Sequence, residues 1–274
     1  MRTVEPGKSA GQGTDLWVKD SAQGTPARLT FLKDTSDSPV WTPDGKSIIF
    51  RNAGGESSGM YWIRADGGGD LVRLTESKKN DVPYSISSDG KLLAFAAVGA
   101  NGTRDLFTAP IDISGGRPKL GTASLFLGTL SGEAFPAFSP DGRWLAYMSN
   151  ESGVFEIYVR PFPGPGGKWQ LSSGGGSYPV WSRDGRELLF QNADQRVIAV
   201  KYTSHGDSFT IGERRTWSSV RTMSVGVMYT WDIAPDGKQL VMCLPATEEK
   251  QRPATHLMFV FHFADELQRR AAGR

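Results

Sequence analysis

Apolar and polar positions alternate over short stretches along most of this 274-residue chain, and the alternation repeats. Five segments align on a shared Asp-Gly pair: SPVWTPDGKSIIF from Ser38, VPYSISSDGKLLAF from Val82, FPAFSPDGRWLAY from Phe135, YPVWSRDGRELLF from Tyr178 and TWDIAPDGKQLVM from Thr230. Their acids are Asp44, Asp89, Asp141, Asp184 and Asp236, spaced 45, 52, 43 and 52 residues apart. Ahead of each stands a large apolar residue, Trp41, Ile86, Phe138, Trp181 or Ile233; behind it come Ile48, Leu93, Leu145, Leu188 or Leu240, then Phe50, Phe95, Tyr147, Phe190 or Met242. The last two columns are two residues apart and share one face of a strand, so each unit predicts a hairpin with a packed side. The glycines Gly45, Gly90, Gly142, Gly185 and Gly237 supply the positive φ of the turn, and the acids hydrogen-bond its amides. A cation follows every glycine (Lys46, Lys91, Arg143, Arg186, Lys238), where an exposed pair with the acid contributes little.

Further strands are expected between the hairpins at 60–66, 105–110, 155–161, 197–202 and 257–263, with short outer strands at 71–75, 168–172 and 124–128. Four antiparallel strands recurring at this period predict an all-β fold, a β-propeller of four-stranded blades. Two strands at 15–20 and 27–31 lack a hairpin before them, which predicts an incomplete first blade. The expected layout is a flexible segment over 1–12, a propeller over 13–265 with a half-blade at 13–31 and blades from about 37, 81, 133, 177 and 228, and a polar tail over 266–274. Six blades with the first incomplete are favoured; a closed five-bladed ring is the alternative.

Composition agrees with a turn-rich chain: Gly supplies 33 residues and Pro 16. A net charge of +2 gives no field for capturing nucleic acid. Cys243 is the sole cysteine, so no intrachain disulfide forms. No window has the apolar length of a membrane span, and residues 1–13 carry no signal-peptide pattern, so the chain as written has no export address.

With their Pro-x-aromatic-Ser-x-Asp-Gly-Lys/Arg pattern, the repeats resemble the WD-type repeats of TolB-like six-bladed propellers over about residues 13 to 265. The stretch AFSPDGRWLAYMSNESGVFEIYVRPFPGPGGKWQLSSGGGSYPVWSRDGRELLF, residues 137 to 190, resembles the extracytoplasmic carboxy-terminal propellers of bacterial transmembrane serine/threonine protein kinases. That resemblance implies a ligand-sensing module attached to a kinase, placed outside the cytoplasm if so anchored. No Gly-rich loop with a strand lysine, His-Arg-Asp or Asp-Phe-Gly is present, so no kinase chemistry is expected of this chain.

Other catalytic patterns fare no better. Gly55-Glu56-Ser57-Ser58-Gly59 matches the hydrolase elbow string but lies between two strands, where that motif needs a helix after it. The histidines His205, His256 and His262 lack the spacing of a zinc site, and Asp66-Gly67-Gly68-Gly69-Asp70 lacks the distal Glu of a calcium loop. No catalytic residue, metal or other cofactor is therefore expected, and the polysaccharide lyases and peptidase-associated propellers of similar fold stand as the enzymatic alternatives. Trp41 and Trp181 belong to the apolar column and are expected in the core. In propellers the segments entering the inner strands surround one mouth of the central channel. These are Asp37 and Ser38, Asp81 and Val82, Ala134 and Phe135, Ser177 and Tyr178, and Tyr229 and Thr230, with Asp37, Asp81, Tyr178, Tyr229 and Trp231 as the expected ligand contacts. The expected partner is a protein, peptide or small ligand of unknown identity, bound by a monomer.

Overall fold

The computed structural model describes residues 2–3, 13–18, 26–76, 80–114, 117–222, 229–233 and 240–242, which form six antiparallel sheets in chain order. The first contains β1 (Arg2–Thr3), β2 (Asp15–Val18) and β3 (Ala27–Arg28); the second contains β4 (Thr35–Trp41), β5 (Ser47–Ala53), β6 (Gly59–Arg64) and β7 (Val72–Arg73). In the third are β8 (Val82–Ile86), β9 (Leu92–Val98), β10 (Arg104–Asp112), β11 (Lys119–Leu120) and β12 (Ser124–Leu127). The fourth contains β13 (Glu133–Phe138), β14 (Trp144–Ser149), β15 (Glu156–Pro161) and β16 (Trp169–Gln170); the fifth contains β17 (Gly176–Trp181), β18 (Glu187–Asn192), β19 (Val197–His205) and β20 (Ser208–Ser218). The sixth shows β21 (Trp231–Ile233) against β22 (Leu240–Met242). Asp236, Gly237, the strand expected at 257–263, His256, His262 and the 266–274 tail lie outside the described residues. Of the 1–12 segment, Arg2–Thr3 is described, paired with Asp15 and Leu16 of β2.

Each full sheet runs as a meander, first strand to last, as β4-β5-β6-β7 does. Long β10 departs from this: its first half pairs with β12 and its end with β11. The core lies in the seams between consecutive sheets. Ile49, Met60 and Trp62 of the second sheet pack against Leu93, Phe95 and Ala109 of the third. Leu16 and Leu29 of the first pack against Ile48 and Phe50 of the second.

The two columns behind the turns are buried as expected, from Ile48, Leu93, Leu145, Leu188 and Leu240 to Phe50, Phe95, Tyr147, Phe190 and Met242. The column ahead of them holds for Phe138, Trp181 and Ile233 but not for Trp41, which is 47% exposed. Trp181 reaches the preceding sheet, where its Nε1 donates to the Ala137 carbonyl of β13 at 2.9 Å. The sheet preceding Trp41 offers, among the described residues, no strand at the place of β13, and the indole is left half-exposed.

In the turns, Asp is not a central residue of a two-residue hairpin. The Gly45 amide closes a four-residue turn on the Thr42 carbonyl at 2.8 Å, with Gly45 at φ 67. Thr42 Oγ1 donates to Asp44 Oδ1 at 2.6 Å and accepts from the Ser47 amide at 3.0 Å, while the Lys46 amide donates to the same Asp oxygen at 3.1 Å. Ser87, Ser139 and Ser182 repeat this latch with Asp89, Asp141 and Asp184. The Thr or Ser hydrogen bond is the foremost cause holding the Asp44, Asp89 and Asp184 carboxyls below the ordinary range. The acid column is turn architecture. Gly142 sits at φ 69 with open space around its Cα, so Gly142→Val meets no clash and is penalised by backbone conformation alone. A β-branched residue there is expected to lower stability by about 1–3 kcal/mol. A melting temperature equal to the parent's would contradict the turn assignment.

Candidate functional site

The first strand of the second, third, fourth and fifth sheets carries a bulge that turns side chains out of the ladder. In the second sheet Asp37 pairs with Arg51 and Val40 with Ile49, so Ser38 and Pro39 face Phe50 alone; the fourth and fifth sheets repeat this at Phe135 and Tyr178. Ser38, Phe135 and Tyr178 take φ of 52, 55 and 59, an uncommon conformation for non-glycine residues and one that re-aims the side chain. The third sheet has its bulge one residue later relative to the proline: Pro83 pairs with Phe95 and Ser85 with Ala94, leaving Tyr84 over. Tyr84 thus stands where the other sheets have Pro39, Pro136 and Pro179.

Three of these bulges bring Tyr84, Phe135 and Tyr178 together with Tyr229, which precedes β21. Tyr84 lies 4.6 Å from Phe135 and 6.4 Å from Tyr229; Phe135 lies 4.8 Å from Tyr178 and 5.1 Å from Tyr229; Tyr178 lies 5.9 Å from Tyr229. The third, fourth, fifth and sixth sheets each contribute one ring. Sheets that are not neighbours meet here, so the cluster fills the centre of their arrangement. Tyr229 Oη donates to the Pro179 carbonyl at 3.1 Å. Burial pushes the Tyr84 hydroxyl up to about 12 and the Tyr229 hydroxyl well above its usual value, so both remain protonated donors at neutral pH.

Beside the rings lies a charged network. Arg51 of β5 donates from Nε to Asp37 Oδ1 at 2.8 Å, from a terminal nitrogen to Asp37 Oδ2, and from the other to Asn80 Oδ1 at 2.8 Å. Asp37 is 1% exposed and Arg51 9%. Half-buried Arg104, at the start of β10, approaches Tyr84 Oη at 3.4 Å. The charges of Arg104, Arg51 and Asp37 all act on the Tyr84 hydroxyl, which places the three around it. On β21, Asp232 Oδ1 accepts from the Ile233 amide at 2.8 Å. Desolvation raises its carboxyl above the ordinary range, against the pull of Arg183.

The five expected contact residues are thus dispersed. Tyr178 and Tyr229 join the ring cluster, and Asp37 is the buried acid beside Arg51. Trp231 is 3% exposed within the core, its Nε1 without a hydrogen-bond partner among the described residues. Asp81 is buried elsewhere, lining a cleft of about 290 Å³ between the second and third sheets with Phe95, Phe107, Leu74 and Leu120. The extra residue in the third sheet explains this: Val82, not Asp81, occupies the place of Asp37 in the pairing. Tyr84, Arg51, Asn80 and Arg104 were not foreseen. The signal for Tyr84 is present in the chain, since the second repeat has one residue more between its proline and its Asp-Gly than the others. Ser57 of the elbow-like string sits in a one-turn 3-10 helix between strands and donates to Asp34. Among the described residues no group of three or more His, Cys, Asp or Glu could hold a metal ion.

No family model matches the chain. An uncharacterized peptidase of Bacillus subtilis, YuxL, is 25% identical over 170 residues, which is 50% of this chain and 25% of that protein. An uncharacterized protein of Agrobacterium fabrum is 29% identical over 200 residues, 68% of this chain and 63% of that one. The chain therefore spans less than two thirds of the length of either relative. Among solved structures, TolB from Acinetobacter baumannii superposes with a TM-score of 0.59 at 22% identity, covering 85% of this chain and 54% of TolB. An oligogalacturonate lyase in complex with manganese gives a TM-score of 0.56 at 11% identity, covering 86% of this chain and 66% of the lyase. At such identities the likeness is one of fold and not of chemistry. The chain has an all-β, TolB-like propeller fold.

Proposed function

We propose that this chain is a non-catalytic binding propeller that takes the anionic part of a protein, peptide or small ligand at the channel mouth beside Tyr84. The observation behind this is Arg104. Its guanidinium has no ion pair among the described residues and makes a single long contact, to the Tyr84 hydroxyl, at a place where Arg51 is already occupied by Asp37 and Asn80. A forked cation beside a protonated phenol matches the two oxygens of a carboxylate. The ring cluster closes the channel beneath it and supplies an apolar floor.

In the same proposal the propeller is the carboxy-terminal sensory part of a bacterial serine/threonine kinase, supported by the resemblance over 137–190. A protein-interaction scaffold is the second reading, favoured by the likeness to TolB. The lyase reading rests on fold likeness alone, the peptidase-associated reading on fold likeness and on the 25% identity to YuxL over 170 residues. Reading frame upstream of Met1 separates the first two: a kinase domain and membrane helix in frame support the sensor, a signal peptide the scaffold. For the site, thermal-shift titration with citrate, galacturonate and an acidic peptide is expected to show stabilisation by at least one of them. Arg104→Gln should remove that stabilisation without lowering the melting temperature of the free protein. No stabilisation by any of the three, or one that survives Arg104→Gln or is matched by the neutral amide analogues, would overturn the site.

A further inference from the structure

We propose that Asp105 and Glu133, at the seam of the third and fourth sheets, bind a hard divalent cation such as Ca2+ through oxygen ligands. In other sheets the acid opening the third strand is held by a hydroxyl from the end of the fourth. Asp15 of β2 accepts from Thr30 Oγ1 at 2.9 Å and from Arg28 at 2.6 Å, and Glu156 of β15 accepts from Ser172 Oγ and, at 2.9 Å, from the Gly175 amide. Those hydroxyls follow a leucine directly, in Leu29-Thr30 and Leu171-Ser172.

The third sheet breaks the pattern. Its hydroxyl residue, Thr129, is set one place later by Gly128, and Thr129 Oγ1 donates instead to Glu133 Oε1 at 2.5 Å. Among the described residues Asp105 keeps only a 3.4 Å contact with Thr103 Oγ1, whose single proton is shared with the nearer Thr129 carbonyl at 3.2 Å. Both acids are buried, Asp105 at 5% exposure and Glu133 at 0%, and neither has an ion pair among the described residues. Among the described residues Glu133 Oε2 is buried without a hydrogen-bond partner. Two buried carboxylates with one oxygen unpartnered form an uncompensated charge, which a fold tolerates only if something neutralises it. Burial, and then the charge of Asp105, act in the same direction, pushing the Glu133 carboxyl up.

The atoms around them suit a cation better than a shared proton. A proton occupies one lone pair, whereas two carboxylates, the Thr103 and Thr129 hydroxyls and the Thr129 carbonyl present several oxygens, of which Thr129 Oγ1 also accepts from the Ser131 amide at 3.0 Å. That donor set selects Ca2+ over transition metals. Asp105 Oδ2 lies where a Cβ on Gly128 would come to 3.0 Å and one on Gly99 to 1.7 Å, so two glycines let the main chain close over the carboxylate. Asn101 and Gly102, in the turn before Thr103, are exposed.

The test uses the whole chain stripped with chelator, then titrated with CaCl2, MgCl2 and NaCl while melting and heat of binding are followed. Ca2+ is expected to raise the melting temperature saturably below about 10 mM. Glu133→Gln and Asp105→Asn should each weaken Ca2+ binding by at least about tenfold, yet melt no lower than the chelated parent, because each removes an uncompensated charge. That second readout separates a lost ligand from a misfolded variant. No Ca2+ response, with stability of the parent but not of Glu133→Gln rising on mild acidification, would replace the cation by a shared proton. A Ca2+ response unchanged in both variants would place the cation elsewhere and overturn the assignment.

Discussion

Arg51→Met is expected to lower folding stability by about 3–5 kcal/mol, the cost of stranding a buried acid without its partner. The size follows from burial. Asp37 is 1% exposed, and both of its carboxylate oxygens accept from Arg51. Methionine matches much of the arginine stem in volume, so cavity formation contributes little and the loss is electrostatic. The third contact, to Asn80, ties the second sheet to the segment entering the third, so unfolding there is expected to be cooperative with the seam. The double variant Asp37→Leu with Arg51→Met should recover most of the loss, since an apolar pair of similar volume is often neutral or better. Urea denaturation of the single and double variants measures both. A single-variant loss below about 1 kcal/mol would mean that water reaches Asp37.

The difference between what the chain shows by inspection and what needed coordinates follows from the range of the interactions. Hairpins are local: their apolar columns, their glycines and, in four of the five repeats, the hydroxyl two places before the Asp lie within a few residues of one another, and all are visible as repetition. Burial of a column is not local. Trp41 and Trp181 occupy the same place in their repeats, yet only Trp181 has a carbonyl of the preceding sheet to bond. The candidate site is still less local. Arg51 stands in a second strand between a phenylalanine and an asparagine, and nothing in its alternation shows that it faces inward to Asp37. Arg104 reads as an exposed strand end until Tyr84, one residue displaced in its repeat, is seen to rise towards it. Asp81 was assigned to the mouth because it precedes Val82 as Asp37 precedes Ser38; the displaced bulge puts Val82, not Asp81, opposite the Asp37 position. Gly128 acts in the same way on the acids at the third and fourth sheets, one inserted residue moving a hydroxyl from Asp105 to Glu133.

The second large effect is expected at Trp144, which belongs to none of the repeat columns: its counterparts are Ser47, Leu92, Glu187 and Gln239. At 1% exposure it is among the largest fully buried side chains. Its ring meets Trp169 edge-on at 5.5 Å within its own sheet and Phe209 of the fifth sheet at 5.1 Å. Phe209 in turn stacks on Tyr202 at 4.9 Å and approaches Trp181 at 6.3 Å, so Trp144 closes an aromatic seam between two sheets. Truncation leaves a cavity that rigid rings cannot collapse to fill, and Trp144→Ala is expected to cost about 3–5 kcal/mol. Trp144→Phe should cost far less. It keeps a ring in the seam and removes an indole Nε1 that is buried without a hydrogen-bond partner, so no donor is left stranded by the change. The ratio of the two losses is the informative quantity. Comparable losses for Phe and Ala would show that the indole nitrogen has a partner, a bridging water for instance, and that polarity rather than ring packing holds this seam.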